Sequence, residues 1–333
     1  MKLQTITAAL LAALSLVSCA VSVTEDEKHS ETVFAMDTVM ELTAYGHNAE
    51  KALAEAKAEA LRLDALLTRG GSGSEIYTLN KNGSAQVSEE TAALVRSALD
   101  ISTATDGAFD ITIAPIMDLW GFFTKDFRVP SDEELQAALA SVDYKNVGVN
   151  ENTVTLSGNS QLDLGGIAKG YLSGKIIDIF RENGVTSAIV SLGGNVHCLG
   201  KKTDGSLWRI AVQHPDGEGF IGTLSASDTA VITSGGYQRY FEQDGQIYHH
   251  IIDPKTGISA HSGLKSVTII TPDSTRADGL STAVYVMGPE NAADLWRGDR
   301  SFDMVLMTDD NKVYITEGIK NSFTSELELN IIE

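Results

Sequence analysis

Three short segments hold residues whose types and spacing suit chemistry on an anionic ligand. The first is Thr275-Arg276-Ala277-Asp278-Gly279-Leu280-Ser281-Thr282-Ala283. On a helix, Asp278 and Thr282 lie one turn apart, so both oxygens face one point. A carboxylate, a hydroxyl and a carbonyl from elsewhere suit a hard ion such as Mg2+. Asp278 equally suits the cap of its own helix. The second segment is Leu162-Asp163-Leu164-Gly165-Gly166-Ile167-Ala168-Lys169-Gly170-Tyr171. A strand that turns at paired glycines into a helix lets backbone approach an anion closely. The helix N-terminus adds unpaired N–H groups and partial positive charge, and Lys169 a full one. This is the best pyrophosphate site in the chain, although glycines there also serve tight packing. The third is Tyr248-His249-His250-Ile251-Ile252-Asp253-Pro254-Lys255-Thr256-Gly257. In a strand, His250 and Ile252 share one face and His249 points the other way. A turn follows from Asp253. His250 titrates near neutrality and is a candidate general base for an attacking hydroxyl; a strand-end histidine with a structural hydrogen bond fits the same pattern.

A further stretch, Gly107-Ala108-Phe109-Asp110-Ile111-Thr112-Ile113-Ala114-Pro115, runs on to Trp120-Gly121-Phe122. It sets aromatics near a carboxylate and a turn, as a pocket lining or as core. No His-x-x-His or His-Glu-x-x-His is present, so a zinc site is not indicated. Neither a dinucleotide Gly-x-Gly-x-x-Gly with its ribose-binding acid nor a Walker loop appears. The net charge of -20 argues against nucleic acid, whose phosphates it would repel. It also argues against charge-driven adhesion to anionic lipid. An acidic protein that takes an anionic ligand needs local devices, among them N–H groups, helix N-termini or a divalent cation.

These segments need elements to position them. Phe34 to Tyr45 reads as a strand or hairpin arm. Asn48 caps a helix with Leu53, Ala56, Ala60, Leu63 and Leu67 on its buried face, ending near Gly70-Gly71. Ser88 opens a second helix that stops before Asp106-Gly107. Ser131 with Glu134 is a capping box for a third, through Val142. A helix from about Ile167 to Asn183 stops at Gly184. Strands then dominate, at 187–192, 208–213, 230–233, 247–252, 265–270, 304–308 and 312–316. Helices are expected from Asp278 to Met287 and from Asn291 to Trp296. Several strands alternate apolar and polar residues, as in an antiparallel sheet with one covered face. The fold class is α+β, with antiparallel-rich sheets and packed helices in one unit, and a helical lobe before about residue 160.

The chain opens as an export signal. Lys2 precedes an apolar run from Leu3 to Val17, too short for an ordinary membrane span. The run ends in Leu16-Val17-Ser18-Cys19, which resembles a bacterial lipobox and implies cleavage before Cys19 and lipid on it. The reading is therefore a signal segment at 1–18, a lipidated, charged tether at 19–31 and a folded domain at 32–333. The protein is expected on the cell membrane of a bacterium, facing the periplasm or the exterior. Cys198 then has no disulfide partner and reads as a small buried hydrophobe.

Taken in order, the segments resemble the ApbE family, FAD:protein FMN transferases. The resemblance runs from Met36-Asp37-Thr38 through Ser74-Glu75-Ile76, Leu79-Asn80, Phe109-Asp110, Pro115 and Trp120. It continues through the Gly165-Gly166 segment, Ser191-Leu192-Gly193-Gly194-Asn195, the His250 segment and the Asp278 segment. It implies a T-fold-related architecture. It implies FAD contacts from Met36, Ala108, Phe109, Asp110, Gly165, Tyr171 and Ile252, with Lys169 at the pyrophosphate. It implies Mg2+ held by Asp278, Thr282 and the Ala168 carbonyl. Ser281 stands where some relatives carry a second carboxylate, and is a weaker ligand. His250 matches a histidine near the phosphates, and Asp253 is expected to steer it.

The implied reaction is attack of a threonine or serine hydroxyl of a target protein on the FMN-side phosphorus of FAD, with AMP leaving. Flavin-acceptor domains of membrane redox proteins are the implied partners. Relatives often carry a tyrosine before Ser74 that stacks on adenine. Here Thr68-Arg69-Gly70-Gly71-Ser72-Gly73 has no aromatic, which predicts weaker FAD retention or easier access of water. The alternatives are a Mg2+-dependent FAD pyrophosphatase, with water replacing the protein hydroxyl, and a non-catalytic FAD-binding lipoprotein.

Overall fold

The computed structural model describes residues 27–217 and 219–333. The predicted signal segment, Cys19 and the tether as far as Asp26 lie outside the described residues. The tether was expected to run to Glu31, but Lys28–Ala35 is already a strand. Its charged start belongs to a sheet edge, where polar outward residues discourage further pairing. Only Val33 and Ala35 turn fully into the core. This strand pairs antiparallel with Thr38–Tyr45. The turn between them is Met36-Asp37, with φ of 50° and 60°. Positive φ at both central residues is what a two-residue hairpin demands, and Asn-Gly is its usual solution.

Nine strands form the main sheet, side by side in chain order. After the hairpin come Ala188–Leu192, Asn195–Leu199, Thr229–Gly235, Leu264–Thr271, Asp303–Thr308, Val313–Thr316 and Leu329–Ile332. Neighbours pair antiparallel except the last two, which are parallel. Side chains alternate between the faces. Ile232, Ile269, Met304 and Leu306 join the main core under the helices. Val231, Ile270, Val305 and Met307 point the other way. There they pack with Trp208, Ile210, Leu224 and Phe323 of a small sheet built from Trp208–Gln213, Phe220–Ala226 and Phe323–Thr324. Cys198 is fully buried in this second core, as expected of a small hydrophobe.

Seven helices complete the described fold: α1 Ala49–Leu67, α2 Glu75–Asn82, α3 Glu89–Ala104, α4 Ala114–Leu119, α5 Asp132–Leu139, α6 Ala168–Glu182 and α7 Ser274–Gly298. Helices α1, α6 and α7 pack on the sheet and on one another. The predicted helical lobe exists as α2 to α5 with a three-stranded sheet; α2 and α3 share the main core, while α4 and α5 pack with Trp120, Phe122 and Ile252 in a smaller one. Helix α5 has the full capping box from Ser131 and Glu134. Asn48 precedes α1 without capping it; its amide donates to the Asn183 carbonyl at 2.8 Å and ties α1 to the end of α6. Helix α7 begins four residues earlier than expected, because Asp273 caps it through the Arg276 N–H. It bends at Gly288, where Pro289 follows.

His197 couples sheet and helix, its Nδ1 lying 3.1 Å from Ser173 Oγ of α6. Burial pushes its imidazole down to about 4 from an ordinary 6.5. The unfolded chain binds a proton between these values and the folded chain does not, so stability falls as pH drops through that window. Denaturant melts from pH 7 to pH 4 should show up to about 3 kcal/mol lost from this source. His197→Gln should flatten the slope.

Candidate functional site

Helices α6 and α7 cross at Gly170. A Cβ there would stand 2.2 Å from the Ser274 carbonyl oxygen and 2.6 Å from Asp278 Cβ, so glycine alone permits the approach. Close contact lets the Gly170 N–H donate to Asp278 Oδ2 at 2.8 Å, and Ser274 Oγ donate to the Gly170 carbonyl at 2.7 Å. Asn195, just past the Gly193-Gly194 hairpin turn, donates its amide to Asp278 Oδ1 at 3.1 Å. Asp278 is thus held by side chain and backbone and is no helix cap. It is only 4% exposed. Burial raises its pKa, against the charge of Lys169 and these hydrogen bonds.

Asp278 opens on a cleft of about 1240 Å3, which Ala168 and Thr282 also line. The ion expected from the sequence therefore meets a fitting site. A buried carboxylate bonded to neutral donors gains most from a cation, and the added oxygens of a hydroxyl and a carbonyl suit a hard one. Among the described residues no three His, Cys, Asp or Glu side chains converge, so such a site relies on those neutral oxygens. Ser281 does not line the cleft. It is fully buried, donates to the Asp278 carbonyl at 2.8 Å and bonds Ser234 Oγ at 2.8 Å. One residue short of Thr282, it faces the sheet.

The Gly165-Gly166 turn is built around Asp163, whose Oδ1 accepts the Gly165 N–H at 2.8 Å. Asn80 of α2 holds the approach, pairing with both the N–H and the carbonyl of Leu162. A Cβ on Gly166 would meet Phe109 at 3.0 Å. The expected cradle of free N–H groups is narrower than predicted. Those of Ile167 and Ala168 bond the Leu164 carbonyl, and that of Gly170 bonds Asp278. Charge for a phosphate must come mainly from Lys169, whose Nζ stands 3.4 Å from the Gly165 carbonyl, and from an ion.

Met36, Ala108, Phe109, Asp110, Gly165, Lys169, His250 and Ile252 all line this cleft. Asp110 accepts from the N–H and Oγ1 of Thr112 and from the Tyr144 N–H. Its pKa is nonetheless raised by burial. Tyr171 is not brought to the cleft. Two residues past Lys169, it lies on another face of α6, where its hydroxyl donates to Glu90 at 2.9 Å.

His250 follows the short strand Gln246–His249 and is not inside it. Its N–H and its Nδ1 both contact the Arg239 carbonyl, at 3.0 and 3.1 Å. A carbonyl only accepts, so Nδ1 carries the hydrogen and Nε2 the lone pair. Burial and then the Arg239 guanidinium push the imidazole down to about 3, leaving it neutral near pH 7. Asp253 does not steer it. That carboxylate accepts the Lys255 N–H at 2.9 Å and closes its own turn. The turn is fixed further by Trp120, whose indole donates to the Gly257 carbonyl at 2.7 Å.

Several lining residues escaped the sequence reading. Asn195 followed a noted glycine pair and carried no assigned role. Tyr237 sits in a single 3-10 turn, Arg239 just after it, and Phe220 at the start of a strand, none with a periodic signal. Phe123 lies beside Gly70 and gives the 68–73 loop the aromatic neighbour it lacks in sequence.

Residues 36–306 match the ApbE family. A protein from Klebsiella pneumoniae (strain 342) named FAD:protein FMN transferase is 31% identical, covering 88% of this chain and 93% of its own. One of the same name from Treponema pallidum (strain Nichols) is 38% identical over 68% of each. The crystal structure of the ApbE protein from Thermotoga maritima superimposes with a TM-score of 0.84 at 32% identity, covering 89% of this chain and 99% of that one. On its sequence and fold, the chain belongs to the ApbE family.

Proposed function

We propose that this protein is a Mg2+-dependent FAD:protein FMN transferase, anchored by lipid at Cys19 to a bacterial cell membrane and facing the periplasm or the exterior. The observation that carries the reading is Asp278, a buried carboxylate set in a cleft beside Thr282, Ala168 and Lys169. The names of the similar proteins point to the same activity. The anchor rests on the Leu16-Val17-Ser18-Cys19 sequence alone. Tethering would raise the effective concentration of membrane-bound acceptors.

Asp278, Thr282 and the Ala168 carbonyl would hold Mg2+, which neutralises pyrophosphate charge when bound. Lys169 supplies a second positive charge at the Gly165-Gly166 turn. Phe109, Ala108 and Ile252, all buried, give the cleft an apolar wall suited to a flavin ring. His250, which lines the cleft with Nε2 unprotonated, would take the proton of an acceptor threonine or serine hydroxyl. The hydroxyl oxygen bonds to the FMN-side phosphorus, the bond to the AMP oxygen breaks, and AMP leaves.

Purified protein mixed with FAD, Mg2+ and a threonine-bearing flavin-acceptor domain should add one FMN mass to the acceptor, read by intact-mass spectrometry. Asp278→Asn should lower the rate at least about 100-fold. Free FMN and AMP without acceptor gain would establish the hydrolytic alternative instead, and bound FAD without turnover the storage one.

Metal binding has its own readout. At about 100 times its dissociation constant, Mg2+ should stabilise the wild-type fold by about 2.7 kcal/mol in thermal melts. Asp278→Asn should remove that gain, and an equal gain in the variant would reject the site.

His250→Ala should slow transfer by about 10²–10⁴-fold while FAD still binds. Unchanged transfer would discard its role as base.

A further inference from the structure

Arg69 stands in the loop after α1, yet its side chain is only 7% exposed. A guanidinium buried on a loop needs partners. Its Nη1 donates to Asp118 at 2.7 Å, and its Nε lies 2.9 Å from Asp163 Oδ2. Its Nη2 is buried with no hydrogen-bond partner among the described residues. The guanidinium lies over the Phe123 ring, 4.0 Å from the centroid. Gly70 closes on the same ring, since a Cβ there would stand 2.8 Å from Phe123 Cζ. Despite these contacts Phe123 remains 42% exposed, and with Arg69 it lines the cleft.

One side of this ring is therefore backed by a rigid charged plane, and the rest is open in the cleft. Such a surface suits a flat π-system, and arginine beside it adds cation–π attraction. Asp163 joins the ring to the phosphate turn, because one oxygen meets Arg69 and the other accepts the Gly165 N–H. A ligand that stacks on Phe123 while its phosphates reach Lys169 is a nucleoside diphosphate. Elsewhere the buried apolar wall of Ala108, Phe109 and Ile252 offers the larger flavin ring its own place.

We infer that Phe123, backed by Arg69, is the stacking platform for the adenine base of the bound dinucleotide. Asp163 couples that platform to the Gly165-Gly166 turn. The inference rests on FAD being the substrate. It makes Phe123 and Arg69 positioning residues that take no part in proton transfer.

The test is calorimetric titration of the full chain with ADP and, separately, with FMN. Phe123→Ala should weaken ADP by roughly 10- to 100-fold and leave FMN within about twofold. Phe123→Tyr, which keeps a ring, should restore ADP affinity. Unchanged ADP binding in Phe123→Ala overturns the platform. Equal losses for both ligands, or a loss for FMN alone, overturn it as well. Wild-type protein that binds neither ligand overturns the FAD reading itself, a result separate from any effect of the substitution.

Discussion

The site depends on the contact between two helices at Gly170. No side chain can occupy that point, because α7 presents its own backbone and Asp278 there. The missing Cβ brings a backbone N–H within 2.8 Å of a carboxylate that is almost sealed from water. Burying an unpaired charge is costly, and a fixed dipole recovers part of that cost without cancelling the charge. The Asn195 amide adds a second fixed dipole from the sheet. Helix, sheet and glycine turn thus converge on one carboxylate, and the cleft takes its shape from that convergence.

The charge of the whole molecule opposes its anionic ligand. At -20, the protein repels phosphate at long range, but salt screens that field within about 10 Å. Within that range a few groups decide. Lys169 and Arg239 line the cleft, and the neutral His250 does not add to the charge. The helix head contributes less than its sequence suggests, since turn formation consumes most of its N–H groups. The charge of Lys169 offsets part of the cost of burying the Asp278 carboxylate.

Much of the fold was legible because its signals are local. The capping box at Ser131, the apolar face of α1 and the alternating strands need only nearby residues. The start of the sheet was not legible, because an edge strand carries the polar composition of a linker. Helices α2 and α4 are too short to show a period. At the site, Asp278, Thr282, Lys169 and His250 were visible as chemical groups in ordered motifs. Their neighbours were not. His250 is held by the Arg239 carbonyl while Asp253 closes its own turn, and Tyr171 and Ser281 are decided by which face of a helix each takes. Such outcomes depend on rotation of a few tens of degrees, which residue spacing alone does not resolve.

The turn at Met36-Asp37 has a different kind of consequence. Two residues with side chains occupy backbone conformations that glycine and asparagine adopt more readily, at a cost of about 1–2 kcal/mol each. Both line the cleft, and Asp37 is also paired with Lys125 across its rim at 2.6 Å. Selection for stability alone would move this turn toward Asn-Gly. The thioether and the carboxylate that line the cleft would then be lost. At this hairpin a more durable protein and a better-furnished cleft are different sequences, and the chain carries the second.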